Sequence, residues 1–212
     1  MSKYRVQINY QDKGWRNCNT CVLGISIGGE KHESHKFEKT IDWVSKRFKE
    51  VYINIADVLH RYNYMFDYGF SEEKAYEKTF LEGNKWLERN KNYIKILPNY
   101  KIYRWGDWIN HAQYKEIYNN INRLYNNSDF KLFVNKDLEL FLSRQKEIKN
   151  KKFLKKLSLK FLLEELAVYN LISNNFSFVK IYPGSIMSSL NQIINNSKYS
   201  NNKSYCVGID FG

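Results

Sequence analysis

The 212-residue chain holds 43% hydrophobic and 17% aromatic residues, which excludes a disordered polypeptide, and it is long enough to bury a core without disulfides or metals. Lys and Arg total 34 against 22 Asp and Glu, a net charge of +12 whose field attracts polyanions, nucleic acid first and an anionic membrane second. No run approaches the ~20 apolar residues of a membrane span. Met1 to Tyr10 carries no signal-peptide core, and three cysteines fit no secreted pattern, so we expect free thiols in a reducing cytoplasm.

In chain order, apolar alternation predicts strands at Tyr4–Ile8, Cys21–Ser26, Val51–Ile55, Tyr93–Leu97 and Phe176–Tyr182, with a last short strand in Ser204–Ile209. Helical periodicity predicts helices at Lys36–Lys49, Ser71–Asn90, Ala112–Tyr125, Asp129–Lys146 and Lys152–Ser173. The tail from Asn191 to Lys203, rich in Asn, Lys and Tyr, is expected to be loosely ordered. There are two prolines, Pro98 and Pro183, no Gly/Ser linker and no repeat, so residues 1–212 read as a single domain. Early strands alternating with helices argue for βαβ units and a mostly parallel sheet, whose ligands sit beyond the carboxyl ends of the strands.

Ser26 falls at such an end, within Cys21-Val-Leu-Gly24-Ile-Ser26-Ile-Gly28-Gly29. The glycines permit a tight turn and let backbone N–H groups approach a ligand, so an exposed hydroxyl there suits a nucleophile. A plain strand-end turn is the structural alternative. Gly24-x-Ser26-x-Gly28 also matches a nucleophile elbow, which keeps a serine esterase open. Against it, only 25 residues precede Ser26, and His111 is the last histidine, so the late acid-then-histidine order of that fold is not met.

In the Lys152–Ser173 helix, Leu154, Leu157, Phe161, Val168 and Ile172 form an apolar stripe that contains Glu165. A carboxylate buried there would have its pKa raised, which suits proton transfer; an edge position, reaching solvent or a buried lysine, is the alternative. Tyr182 ends the strand that Pro183 terminates, where a phenol can donate a hydrogen bond. Cys18, Cys21, His32 and His35 form a Cys/His set, but with spacings too short for a zinc finger, and no metal is expected. Lys74, Lys78, Lys85 and Arg89 share one helix face, and Arg144, Lys146, Lys149, Lys151, Lys152, Lys155, Lys156 and Lys160 form a denser cluster. Lysines so arranged neutralise phosphates without reading sequence, and taken alone they fit a non-catalytic RNA-binding module.

Taken together and in this order, the motifs resemble the tRNA-dependent cyclodipeptide synthases. Gly24-Ile-Ser26-x-Gly28 is similar to that family's nucleophile motif, Trp43 and Arg47-Phe48 to its next helix, and Val51-Tyr-Ile53 to its next strand. Phe161-Leu-Leu-Glu-Glu165 resembles its Tyr-x-x-x-Glu helix, and Tyr182-Pro183 the Tyr-Pro of the branch that lacks Asn three residues after the nucleophile, here Gly29. The resemblance implies a Rossmann-like α/β domain like the catalytic domain of class I aminoacyl-tRNA synthetases. It implies an aminoacyltransferase that joins the amino acids of two aminoacyl-tRNAs into a diketopiperazine, acting as a monomer without ATP, metal or other cofactor. The ATP signatures of those synthetases and a P-loop are missing from the chain. Ser26 would carry the aminoacyl group, Glu165 would hold the substrate ammonium and Tyr182 would position groups near Ser26. Val22, Gly24, Gly28, Gly29, Trp105 and Tyr114 would contribute to substrate binding, although Tyr114 also lies on an apolar stripe with Ile117, Ile121 and Leu124. The tRNA contacts would come from Lys74, Lys78, Lys85, Arg89, Lys151, Lys152, Lys155 and Lys156. Two departures stand out. Phe161 replaces a tyrosine that hydrogen-bonds the aminoacyl amine in many members, and Ser143-Arg144 replaces an Asn-Arg pair of the other branch.

Overall fold

The computed structural model describes residues 13–144, 150–196, 198–200 and 202–209. Within them β1 (Thr20–Ile25), β2 (Glu50–Ile55), β3 (Tyr100–Arg104), β4 (Val179–Pro183) and β5 (Tyr205–Ile209) form one sheet in the order β3-β2-β1-β4-β5, with every pairing parallel. The strand expected at Tyr4–Ile8 lies outside the described residues.

Alternation along the strands divides the sheet into two faces. Leu23, Ile25, Val51, Ile53, Val179, Ile181 and Val207 pack against Phe37, Ile41 and Val44 of α1 (Ser34–Ser45) and Trp86 and Ile94 of α3 (Glu72–Ile94). The opposite face carries Val22, Phe178 and Cys206, covered by the long α7 (Lys151–Asn175), with α2 (Arg61–Tyr68), α4 (Trp105–Ile109), α5 (Tyr114–Asn127), α6 (Phe130–Ser143) and α8 (Ser188–Asn195) around it. Among the described residues no helix is long and apolar enough to cross a membrane.

Most expected elements recur with shifted ends, and three expectations are corrected. Tyr93–Leu97 is not a strand. The buried stripe Ala75, Thr79, Gly83, Trp86, Asn90, Ile94 runs at helical spacing to the end of α3, so packing carries the helix past Asn90. The strand follows instead at Tyr100–Arg104, beyond Pro98. Second, the tail expected to be loose from Asn191 holds the rest of α8, whose Leu190, Ile193 and Ile194 are buried. Its first turn is held from another helix: the buried carboxylate of Asp137 accepts from the backbone N–H and hydroxyl of both Ser188 and Ser189 at 2.6–3.0 Å. Third, α6 ends at Ser143, short of the expected Lys146; residues 145–149 lie outside the described residues. The short α2 and α4 were not foreseen.

The helical layer is joined to α7 by one buried carboxylate, that of Glu164. Its two oxygens accept from Arg61 at 2.8 and 2.5 Å, from the Tyr62 hydroxyl at 2.9 Å and from Trp105 Nε1 at 3.0 Å. α2, α4 and α7 thus meet on a single acceptor. The Arg61 guanidinium is partly stripped of water, yet its contacts with Glu164 outweigh that and hold its pKa above the ordinary arginine value. Removing one partner of such a pair strands the other charge in the core. Glu164→Ala should therefore cost about 3–5 kcal/mol in urea unfolding, and the double change Arg61→Met with Glu164→Leu should cost less than the single one. Equal losses in the two proteins would show that the stranded guanidinium is not the source of the cost.

Candidate active site

The strand order reverses direction between β1 and β4, the switch point at which open parallel sheets leave a crevice beyond their carboxyl ends. The residues of β1 and β4 on the α7 side of the sheet are Val22 and Gly24, and Lys180 and Tyr182. Towards the carboxyl end the bulky core residues give way to a glycine and two polar side chains, and a cavity of about 640 Å³ opens between sheet and helices. Gly24 is needed for contact: a Cβ built there would lie 2.9 Å from the Tyr169 hydroxyl and 3.5 Å from both Lys180 and Tyr182.

Ser26, Glu165 and Tyr182 all line this cavity. Ser26 is the first residue after β1, Tyr182 lies on β4, and Glu165 descends from α7. On α7 the cavity-lining Ser158, Phe161, Leu162, Glu165 and Tyr169 recur at helical spacing and so share one face. Glu165 is not an isolated buried acid. Its Oε1 accepts from Lys180 Nζ at 3.1 Å, with 16% of the glutamate side chain and 3% of the lysine exposed. The lysine also stacks over the Tyr169 ring at 3.7 Å. Burial pulls the Lys180 pKa down, but the oxygens of Tyr169 and Glu165 more than offset it, so the ammonium is held charged. The Tyr182 phenol is raised, by burial first and the Glu165 charge second, with Lys180 and a hydrogen bond to Ser26 acting the other way.

Sequence reasoning missed His60 and Asn63. Nε2 of His60 lies 2.8 Å from Ser26 Oγ, and its Nδ1 lies 3.0 Å from the Asn63 amide nitrogen. His60 ends the 3-10 turn Val58–His60 that follows β2, and its ring meets that of Phe161 edge-on at 5.8 Å. The turn is fixed by buried Asp57, whose carboxylate accepts from Val58 N at 2.8 Å and Trp105 N at 3.2 Å and pairs with Arg104. The available signal was position alone: a histidine just past the carboxyl end of a strand that neighbours the Ser26 strand. Lys180 was foreseen only as an unnamed buried lysine, although an inward-facing lysine between Phe178 and Tyr182 is itself a sign of a buried partner.

Other expected substrate contacts lie elsewhere. Val22 is buried in the core and does not line the cavity. Neither does Trp105, which is fully buried and hydrogen-bonded to Glu164. Tyr114 packs on Tyr118 at 5.7 Å and belongs to the core around α5 and α7. Gly28 makes the turn after Ser26 with φ of 77° and is exposed. The N–H of Gly29 is used by Ser26 O at 3.2 Å, so it does not face a ligand, and a Cβ at Gly29 would meet His32 at 2.9 Å. His32 in turn packs against the Tyr182 ring at 5.2 Å. Cys21 is buried in β1, and among the described residues no group of three or more His, Cys, Asp or Glu could hold a metal ion.

The two basic clusters differ. On α3, Lys85 pairs with Glu82 and Arg89 with Glu33, Lys74 lies over the Phe70 ring, and Lys78 is exposed. On α7, Lys155 pairs with Glu139, while Lys151, Lys152 and Lys156 are exposed. At about 100° per residue, Lys151 and Lys155 stand on the same face of α7 as Ser158, Leu162 and Glu165, in line above the cavity. Arg144 and Lys31 also line it. Lys146 and Lys149 lie outside the described residues.

No family model matches the chain, and no curated protein does. Solved structures do. The chain is similar to a CDPS from Fluoribacter dumoffii, with a TM-score of 0.88 over 99% of each chain at 23% identity. It is similar to a cyclodipeptide synthase from Candidatus Glomeribacter gigasporarum bound to Phe-tRNAPhe, with a TM-score of 0.70 over 91% of this chain and 87% of that one at 20% identity. A Mycobacterium tuberculosis protein, described as demonstrating that cyclodipeptide synthetases are related to type I tRNA synthetases, matches with a TM-score of 0.76 over 98% and 93% at 13% identity. The chain thus has an α/β fold of the class related to those synthetases. Within that class, its fold is that of the cyclodipeptide synthases.

Two buried histidines make the site sensitive to acid. Burial brings the pKa of His32 down to about 3, with the charges of His60 and Lys31 adding to the effect, and brings His60 down to about 4. Both pKa values are depressed on folding. The unfolded chain therefore binds more protons below about pH 6.5, and stability is lost as pH falls from there. Each histidine should cost about 2 kcal/mol between pH 6.5 and 5. His32→Gln should roughly halve that loss when urea midpoints at pH 7 and 5 are compared; identical midpoints in the wild type would refute the assignment.

Proposed function

We propose that this chain is a tRNA-dependent cyclodipeptide synthase, of the branch with Tyr182-Pro183 and without Asn at the position of Gly29. The observation that carries the proposal is the convergence of Ser26, Glu165 and Tyr182 on one cavity at the switch point of the sheet. Ser26 Oγ attacks the ester carbonyl of the first aminoacyl-tRNA, the bond to the ribose oxygen breaks, and an aminoacyl-enzyme remains. The free amine of this aminoacyl-enzyme attacks the ester carbonyl of the second aminoacyl-tRNA, the bond to that ribose oxygen breaks, and a dipeptidyl-enzyme remains on Ser26. The free amine of the dipeptide then closes the ring and releases Ser26. The aminoacyl ester is already activated, so no step requires ATP.

Glu165 holds the substrate ammonium through Oε2, Oε1 being taken up by Lys180. Tyr182 orients the groups around Ser26. The volume of the cavity falls in the range of sites that enclose small molecules. Phosphates near the tRNA 3′ end meet Arg144, Lys151 and Lys155, with Lys152 and Lys156 beside them, and the α3 residues Lys74, Lys78, Lys85 and Arg89 extend the basic surface. Such contacts weaken steeply with salt.

A second reading, a serine esterase, is favoured by the contact between Ser26 and His60. Incubation with a mixture of charged tRNAs separates the two: a synthase yields cyclic dipeptides by mass spectrometry, whereas an esterase yields free amino acids. Ser26→Ala should abolish both the covalent aminoacyl adduct and the cyclic product. Folded wild-type protein that forms no cyclic dipeptide from any charged tRNA would refute the proposal.

A further inference from the structure

The steps above leave the proton of Ser26 without a destination. We infer that His60 is a catalytic residue that accepts this proton through Nε2, and that Asn63 is the positioning residue that holds the imidazole. The inference rests on the reading of Ser26 as the nucleophile.

Geometry carries it. Nε2 is 2.8 Å from Oγ, within direct transfer distance, and the other ring nitrogen is 3.0 Å from the Asn63 amide. The amide's oxygen and nitrogen occupy equivalent places, so a half-turn of the amide sets Oδ1 against Nδ1–H and leaves the Nε2 lone pair facing the hydroxyl. The ring is fixed from two further sides, by the edge of Phe161 and by the turn that Asp57 anchors. Burial keeps the imidazole neutral at physiological pH, so its lone pair is available. The neighbouring candidates suit the task less. Tyr182, its pKa raised, keeps its proton and so offers no phenolate to receive one, Glu165 is tied to Lys180, and Phe161 has no hydroxyl.

As Oγ bonds to the ester carbonyl carbon, its proton passes to Nε2. When the bond from that carbon to the ribose oxygen breaks, the same proton leaves with the ribose oxygen, and His60 is neutral again. In ring closure the traffic reverses: the attacking amine gives a proton to Nε2, and Nε2–H returns one to Oγ as the ester bond to Ser26 breaks.

The test is the rate at which a fluorophosphonate labels Ser26 in the absence of tRNA, followed by intact mass. His60→Ala and His60→Gln should each slow labelling by roughly 100-fold or more. Asn63→Leu should slow it by roughly 10-fold, and Asn63→Asp, which still accepts from Nδ1–H, should restore most of the rate. His60→Gln keeps a polar side chain of similar reach, and its far-UV spectrum and melting curve monitor folding. Folded His60 variants that label at the wild-type rate would overturn the inference, as would a wild-type Ser26 inert to the probe while cyclic dipeptide is still formed. Because labelling needs no tRNA, its outcome is independent of whether a cyclic dipeptide appears, and the two readings can fail separately.

Discussion

The site depends on one buried ion pair that does no chemistry itself. Glu164 accepts hydrogen bonds from Arg61, Tyr62 and Trp105, which ties the helices after β2 and β3 to α7. Adjacent residues on a helix point about 100° apart. Once Glu164 is fixed in the core, Glu165 must face the sheet side, where the cavity and Lys180 lie. A buried pair of this kind is a weak source of net stability, because desolvation consumes most of the attraction. Its contribution here is orientational: together with the Glu165–Lys180 pair it sets the rotation of a 25-residue helix whose apolar contacts are non-directional.

The cavity itself follows from a change of residue type along the strands. On the α7 side of the sheet the lower positions are Val22, Phe178 and Cys206, which pack. The upper positions are Gly24, Asn54, Lys180 and Gly208, which do not fill the same space. Asn54 hydrogen-bonds Trp108, Lys180 holds Glu165, and Gly208 lets the Gly184 carbonyl cross so closely that a Cβ would collide with it. The Asn54 carbonyl oxygen and the Lys180 ammonium each have a partner that replaces lost water, while the buried Asn54 amide nitrogen has no hydrogen-bond partner among the described residues. The opposite face keeps its aliphatic residues to the strand ends, Ile25, Ile55 and Ile209, all of them buried. Core and cavity are thus two halves of one face.

The architecture was legible because it is written in periodicity. Alternating strands and amphipathic helices gave the parallel α/β sheet, and the position of Ser26 after β1 gave the side of the sheet that carries the cavity. The misses have definite causes. Tyr93 and Ile94 are β-formers by composition, yet the stripe that begins at Ala75 keeps them helical, so tertiary packing overrode local preference. α8 was hidden because its anchor, Asp137, lies some 50 residues away. The stripe on α7 drew attention to Glu165, while Glu164, the more deeply buried acid, went unread because its partners come from two other helices. His60 was invisible for a similar reason. A lone histidine carries no spacing signal, and its contact with Ser26 exists only because β1 and β2 pair in register from Thr20 with Glu50 to Ile25 with Ile55. Trp105, expected in the pocket, illustrates the converse: a large aromatic after a strand is as ready to close a core as to line a site.

Charge is sorted by depth, and this reconciles the chemistry with the surface. Cations at the rim, Arg144, Lys151 and Lys155, attract phosphates from solution, where screening limits them to short range. Deeper in, the buried Lys180 is matched by Glu165, so a neutral His60 can sit near them without being forced to protonate. An unmatched lysine at that depth would tax every positively charged group that enters, the ammonium of an aminoacyl ester among them. An unmatched glutamate would raise the pKa of His60 and fill the lone pair that faces Ser26. The lysine that sequence reading left unnamed is therefore what allows an acid and a base to occupy one cavity in the states each requires.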